Sequence, residues 1–163
     1  MLHVAPEPAL EKLFNQHIGS GYLTADLFNP NVMIKMDITN IQYPEESFDL
    51  IFCSHVLEHV NDDKKAISEL FRVLKKNGWA ILMVPINSKV TIEDPLVTDP
   101  SERLRLFGQE DHVHSYGPDF KQRIENAGFN VKVISPQDIL SFEEMKRIGV
   151  IECAGDIFYC TKL

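Results

Sequence analysis

Few cysteines, a deficit of basic side chains and the lack of any long apolar run set the first limits on this chain. Cys53, Cys153 and Cys160 are odd in number, sit among apolar neighbours and form no Cys-x-x-Cys pair. They offer neither a disulfide framework nor a thiolate metal or redox site, and read as reduced thiols of a cytosolic protein. Lys and Arg total 16 against 24 Asp and Glu, a net charge of −8. Phosphate backbones and anionic membrane surfaces both reward basic clusters, so this balance argues against nucleic acid and against membrane as partners. No apolar run reaches the roughly 18 residues of a membrane-spanning helix. The N-terminus has neither the basic start nor the long apolar stretch of a signal peptide. Glycine is missing from the turn after the first apolar run, Ala5-Pro6-Glu7-Pro8.

What is present describes one globular unit. The 163 residues are 44% hydrophobic and 25% charged, enough for a single core over 1–163 without metal or disulfide staples. Strand and helix signals alternate. Strands are expected at 2–5, 22–26, 32–37, 48–53, 79–84, 129–134 and 156–161. Helices are expected at 9–17, from Asp62 or Asp63 to about Lys75, at 118–127 and, short, at 142–148. In the longest helix Ala66, Ile67, Leu70, Phe71 and Leu74 share one face. Lys75, Lys76 and Gly78 suit its end. The nearly continuous apolar strand from Trp79 predicts a central position covered on both faces, with Trp79 as a packing anchor. Residues 86–117 are polar, contain Pro95, Pro100, Gly108 and Gly117, and show no long period. An excursion of this length reads as an inserted lid or acceptor-binding segment, or a local helical insert.

Repeated alternation implies a mostly parallel α/β sheet flanked by helices. Ligands in such folds sit beyond the carboxyl ends of the strands. Those ends carry Ala5-Pro6-Glu7, Asp26, Asp37-Ile38, Cys53-Ser54-His55 and Pro85-Ile86-Asn87. Asp26 follows the first strand by about 20 residues, the place from which a carboxylate accepts from ribose hydroxyls. A solvated turn Asp is the alternative, because Asp26-Leu27-Phe28-Asn29-Pro30 is rich in turn formers. Without glycines the first turn resists close backbone approach, and Glu7 would repel a pyrophosphate. NAD, FAD and ATP are therefore disfavoured. A ligand with a positive or zwitterionic end tolerates Glu7 better.

The segment Phe48-Asp49-Leu50-Ile51-Phe52-Cys53-Ser54-His55-Val56-Leu57-Glu58-His59-Val60, the helix to Leu74 and Lys76-Asn77-Gly78-Trp79 resemble the class I S-adenosylmethionine-dependent methyltransferases of the type 11 domain. A subset is closer still, with a Leu-His-Val-Ala-Pro-Glu first turn and a segment like 107–117. The resemblance covers nearly the whole chain. It implies a Rossmann-like fold with sheet order 3-2-1-4-5-7-6 and an antiparallel last strand. It also implies S-adenosylmethionine as cofactor, S-adenosylhomocysteine as product and a small-molecule acceptor. By position, Ala5, Pro6 and Glu7 would lie against the methionine part and Asp26 against the ribose. Asp37 and Ile38 would lie at the adenine, and Ser54 and His55 at the sulfonium end. The pattern departs from the family where His3 replaces an acidic residue and where Ala5 and Glu7 replace glycines. It also departs in starting at the first strand, where members ordinarily carry a helix before it. Either a start lies upstream or this is a minimal version.

Transfer from a sulfonium needs alignment and water exclusion, plus a base where the acceptor loses a proton. His55 is the first candidate, directly after its strand. His59, one helical turn on, reads as packing. His112, His114 and Tyr116 alternate, share a face if extended, and are candidates for acceptor contact. The alternative is a polar loop held by its own hydrogen bonds. His112 and His114 with Asp111 have metal-ligand chemistry, but no further ligand is near in sequence, so no metal is assigned. Arg103 and Arg105 either recognise an anionic acceptor or solvate a helix face with Glu102. A non-catalytic cofactor-binding or partner protein with the same fold is the second function class. An NAD-dependent enzyme is the third. An uncovered sheet edge or a missing cover helix would invite a homodimer.

Overall fold

The computed structural model describes residues 1–150 and 155–163, so Cys153 lies outside the described residues. The first half holds β1 (Leu2–Val4), α1 (Pro8–Ile18), β2 (Leu23–Asp26), β3 (Ile34–Lys35), β4 (Phe48–Ser54), α2 (Asp63–Val73) and β5 (Leu74–Met83). The second half holds β6 (Ile92–Glu93), α3 (Pro100–Phe107), β7 (His114–Ser115), α4 (Phe120–Glu125), β8 (Asn130–Ile134), α5 (Phe142–Ile148) and β9 (Ile157–Thr161). The main sheet runs β3-β2-β1-β4-β5-β9-β8. From β3 to β5 every pairing is parallel, and β9 is antiparallel to both neighbours. With the small β6–β7 pair set aside, this is the Rossmann-like order expected above, last strand reversed.

Strand register separates the two sheet faces. Leu2, Ile51, Ala80 and Cys160 form one row across the sheet, and Val4, Cys53, Leu82 and Phe158 the next. None is more than 2% exposed. Ala66, Ile67 and Leu70 of α2 and Phe120 and Ile124 of α4 belong to the same core. Each Leu, Ile or Phe fully removed from water there contributes about 1.5–3 kcal/mol. The opposite face carries Leu50, Trp79, Ile81 and Tyr159, all only half-buried. The expectation that β5 is covered on both faces thus holds for one face. On the other, Phe14 of α1 packs edge-on to His3 and Phe52 at the β1–β4 end, while α5 buries no residue fully. Trp79 is a packing residue, 5.7 Å from the Tyr159 ring.

Helix α2 starts as expected, with the Asp62 carboxylate accepting from Lys65 N. It stops earlier than expected. Leu74 already pairs with Phe48 in the sheet, and Lys75 to Gly78 belong to an irregular stretch of β5. The C-terminal carbonyls are satisfied from 90 residues away. Lys162 Nζ donates to Phe71 O at 3.1 Å and Leu74 O at 2.8 Å. Gly78 serves close approach instead of a helix stop, since a Cβ there would lie 2.9 Å from Asp49 O.

The 86–117 segment is a local insert with structure of its own. β6 pairs with β7, Ile86 bridges to Tyr116, and α3 lies between. The insert is fastened to the turn after β4. Val113 N donates to Glu58 O at 2.8 Å, and His114 Nε2 donates to Val60 O at 2.9 Å. The Tyr116 hydroxyl donates to Asp63 Oδ2 at 2.7 Å. Arg123 of α4 donates from Nη1 to both Asp63 oxygens and from Nη2 to Glu93 Oε2. Asp63 is only 2% exposed, so this network is the condition for its burial. Asp63→Ala, which leaves Arg123 with Glu93 alone and takes the carboxylate from the Tyr116 hydroxyl, is expected to lower the unfolding free energy by about 3 kcal/mol. Tyr116→Phe, which leaves the guanidinium pair intact, is expected to cost about 1.5 kcal/mol. Urea denaturation of the two variants checks both the size and the order of the effects.

Candidate functional site

The carboxyl ends of β1, β2 and β4 and the turn after β3 open onto a cavity of about 690 Å³. Ala5, Asp26, Asp37, Ile38 and His55 all line it. The turn after β2 is made by Asp26 itself, whose Oδ1 accepts from Phe28 N and Asn29 N at 2.6 and 2.7 Å. Asp37 makes the next turn in the same way, its Oδ1 accepting from Thr39 N and Thr39 Oγ1. The turn reading and the ligand reading of Asp26 are therefore compatible. One oxygen shapes the loop, and Oδ2 has no hydrogen-bond partner among the described residues. Met36, Ile38, Val56 and Val60 give the cavity its apolar lining.

The glycine-free first turn folds as a glycine turn would. Ala5 adopts φ +49°, the left-handed region, and its N–H donates to Ala25 O at 2.8 Å. An Ala there carries about 1–2 kcal/mol of strain. The swapped His3 is fully buried and bonded at both nitrogens. Nδ1 lies 2.6 Å from the Tyr22 hydroxyl and Nε2 3.0 Å from Glu7 Oε2. Burial pushes the Tyr22 hydroxyl up to about 12, so it stays the donor. Neutral His3 then donates from Nε2 to Glu7. Glu7 is thus turned back onto His3 and does not line the cavity, a correction to its expected place against a ligand. Pro6 and Ser54 are outside the lining as well, Ser54 being 7% exposed in the sheet.

A second cavity of about 290 Å³ adjoins the first, and His55 and His59 line both. His55 follows β4 with φ +53°, a left-handed residue immediately beyond a strand. Its Nδ1 lies 3.2 Å from Oε1 of Glu58, a carboxylate only 1% exposed. His112, Asn87 and Gln109 complete the polar wall of this smaller cavity.

Of the alternating trio, only His112 lines either of these two cavities. His114 and Tyr116 do share a face, but it is the inner one. Their rings stack 5.4 Å apart, 4% and 0% exposed, and bond to Val60 O and Asp63. Their expected contact with an acceptor is corrected to a structural role. Arg103 donates to Val97 O, and the exposed Arg105 lies 3.5 Å from Glu102, so both arginines serve α3 and its flank. Sequence reasoning gave Glu58 no role, read Asp62 only as a helix start, and weighed Asp111 only beside His112 and His114. Glu58 was visible only as part of the His-Val-Leu-Glu-His-Val motif, and no periodicity marks it as buried.

Residues 9–82 match the family described as methyltransferase domain. The chain is 31% identical over 74 residues to the uncharacterized methyltransferase YcgJ of Bacillus subtilis, covering 45% of this chain and 28% of that protein. It is 31% identical over 109 residues to the uncharacterized protein MJ0638 of Methanocaldococcus jannaschii, covering 64% of this chain and 46% of that protein. The chain therefore spans less than half the length of either relative. Among solved structures, an S-adenosylmethionine-dependent methyltransferase from Archaeoglobus fulgidus superposes with a TM-score of 0.64 at 15% identity, covering 99% of this chain and 85% of that one. Phosphoethanolamine N-methyltransferase 2 of Haemonchus contortus, in complex with S-adenosyl-L-methionine, gives 0.66 at 14% identity, covering 99% of this chain and 48% of that one.

The His3 pair makes stability depend on pH in a defined direction. Burial lowers the affinity of His3 for a proton, and Glu7 opposes this less strongly. As pH falls below the ordinary imidazole value of about 6.5, the unfolded chain takes up a proton that the folded chain resists. Stability from this residue is therefore lost on acidification toward its depressed folded value. His3→Gln keeps an acceptor for Tyr22 and a donor for Glu7 but cannot titrate. Its stability is expected to fall less steeply than wild type between pH 7 and 5, as read from urea midpoints across that range.

Proposed function

We propose that this chain, whose residues 9–82 match the methyltransferase-domain family, binds S-adenosylmethionine in the larger cavity and transfers its methyl group to a small acceptor in the smaller one. The charge of the larger cavity carries this reading. Asp26, Asp37, Asp62 and Asp111 line it, and among the described residues no Lys or Arg does. Such a wall repels the phosphates of NAD, FAD and ATP and favours a ligand that carries positive charge. Its volume lies in the ordinary range for cofactor sites, about 300–1,000 Å³.

When bound, S-adenosylmethionine supplies a methyl group activated on a sulfonium. The chain's own part is to hold and orient. The second oxygens of Asp26 and Asp37 are left to accept from ribose hydroxyls and an exocyclic amine, and Ile38 and Met36 offer an apolar seat for a ring. The left-handed Ala5 turns the chain sharply at the cavity wall. His55 faces both cavities. With Nδ1–H donating to Glu58, its Nε2 accepts the proton that an acceptor gives up. The smaller cavity favours a compact acceptor, and the acidic surface disfavours nucleic acid.

Isothermal titration with S-adenosylmethionine and S-adenosylhomocysteine tests the first half. Micromolar binding is expected, weakened at least 10-fold in Asp26→Ala. No heat up to millimolar ligand, or tighter binding of NAD, would overturn the cofactor assignment. In an acceptor screen read by S-adenosylhomocysteine release, His55→Ala is expected to keep cofactor affinity and lose about 10²–10⁴ in turnover. Cofactor binding with no turnover on any acceptor would move the chain to the non-catalytic class.

A further inference from the structure

Glu58, His59 and His112 meet on the smaller cavity, and one ligand-type atom from each lies within 4.8 Å of the others. We propose that these three side chains bind one divalent transition-metal ion of the zinc class. Glu58 supplies the first argument. Its carboxylate is 1% exposed; Oε1 is taken by His55, yet the buried Oε2 has no hydrogen-bond partner among the described residues. A buried anionic oxygen without a donor is costly unless a cation meets it.

The imidazoles supply the second argument. His112 Nδ1 lies 3.3 Å from Phe107 O, and His59 Nδ1 lies 3.2 Å from Asp111 Oδ2. A carbonyl can only accept, so His112 carries its proton on Nδ1 and keeps Nε2 as its lone-pair nitrogen, and the Asp111 carboxylate beside His59 Nδ1 favours the same tautomer there. This is the outer arrangement that fixes metal-ligating histidines. The rings themselves sit edge to face, 4.7 Å between centroids. The third argument is mechanical. Glu58 and His59 come from the short helical turn after β4 and His112 from the insert, and Val113 N–Glu58 O joins the two segments at the site.

A neighbouring cluster provides an internal contrast. Asp63, Glu93 and His114 also bring ligand atoms within 4.8 Å of one another. There the Arg123 guanidinium already pairs with both carboxylates, at 2.7 and 2.8 Å. Among the described residues the Glu58 trio has no such internal cation. Two histidines and one carboxylate leave a metal coordination position open. It faces the cavity assigned to the acceptor, so an acceptor with an oxygen, nitrogen or sulfur donor could occupy it. Only that last step rests on the proposed function; metal binding itself does not.

The test needs neither cofactor nor acceptor. The full chain is stripped with a chelator and titrated with Co²⁺, followed by its visible d–d absorption, and Zn²⁺ is then used as competitor. One equivalent of Co²⁺ is expected, displaced by Zn²⁺, with affinity reduced at least 100-fold in Glu58→Gln and His112→Gln and unchanged in the remote His17→Gln. Glu58→Gln removes a buried anion, so its metal-free form is expected to melt no lower than wild type. Absence of saturable Co²⁺ binding in the wild-type chain would overturn the site. So would equal affinity in wild type and both ligand variants. S-adenosylhomocysteine titration of the same samples separates a failed metal site from a failed cofactor site.

Discussion

The carboxylate of Asp63 lies in the first turn of α2 with 2% of the residue exposed, and the upper part of the molecule is organised around satisfying it. A lone carboxylate at that depth would be costly without partners. Arg123 reaches it from α4 and Tyr116 from the insert, while Arg123 extends to Glu93 on β6. Three segments distant in sequence are thereby held at one helix start, whose dipole also favours the negative charge. The consequence passes to the site. With Tyr116 and His114 fixed inward, the chain just before them is carried across the end of β4, and His112 and Phe107 become a wall of the smaller cavity. A structural ion network thus determines that a second cavity exists beside the first.

Backbone strain marks the same region. Ala5 and His55 both take left-handed φ values, and both end a strand at the larger cavity. Neither is glycine, so each conformation costs on the order of 1 kcal/mol or more. Hydrogen bonds sustain them: Ala5 N to Ala25 O, and His55 N to Met83 O at 2.9 Å. At Ala5 the strained turn replaces the missing glycine. At His55 it swings the imidazole off the sheet into the mouth of both cavities. The paired change of His3 and Glu7 fits this picture. A buried base on β1 and an acid at the turn satisfy each other, and the acid is withdrawn from the ligand side.

Much of the fold was legible because alternation of apolar runs and turn formers implies a parallel sheet flanked by helices, while the strand order came with the family resemblance. The strand-end rule named Asp26, Asp37, Ile38 and His55, and all four line the larger cavity, because strand ends converge whatever the side chains are. The errors have a common cause in contacts distant along the chain. The end of α2 was misplaced because its cap, Lys162, lies on the far side of the sequence. For His112, His114 and Tyr116 the alternation correctly put His114 and Tyr116 on one face, but parity cannot say whether that face turns in or out. Asp63 decided it, and nothing near residue 116 announces Asp63. Glu58 escaped notice for the same reason. A Glu in a short helical turn is ordinarily solvated, and this one is covered by a segment that begins some thirty residues later.

Charge then separates the tasks proposed for the two cavities. The larger one gathers four aspartates from four different loops, of which Asp26, Asp37 and Asp62 spend one oxygen on shaping their own turn or helix start. Loop formation and ligand attraction are therefore the same feature, and the negative field comes with the fold. A sulfonium gains from this field before transfer and no longer gains once its methyl has left and the sulfur is neutral. The wall thus favours the charged cofactor over its neutral product, which assists release but opposes the loss of charge during transfer. Something on the acceptor side has to offset that cost. In the proposed reaction His55, which lines both cavities, would do so, because a proton accepted at Nε2 restores a positive charge facing the same carboxylates.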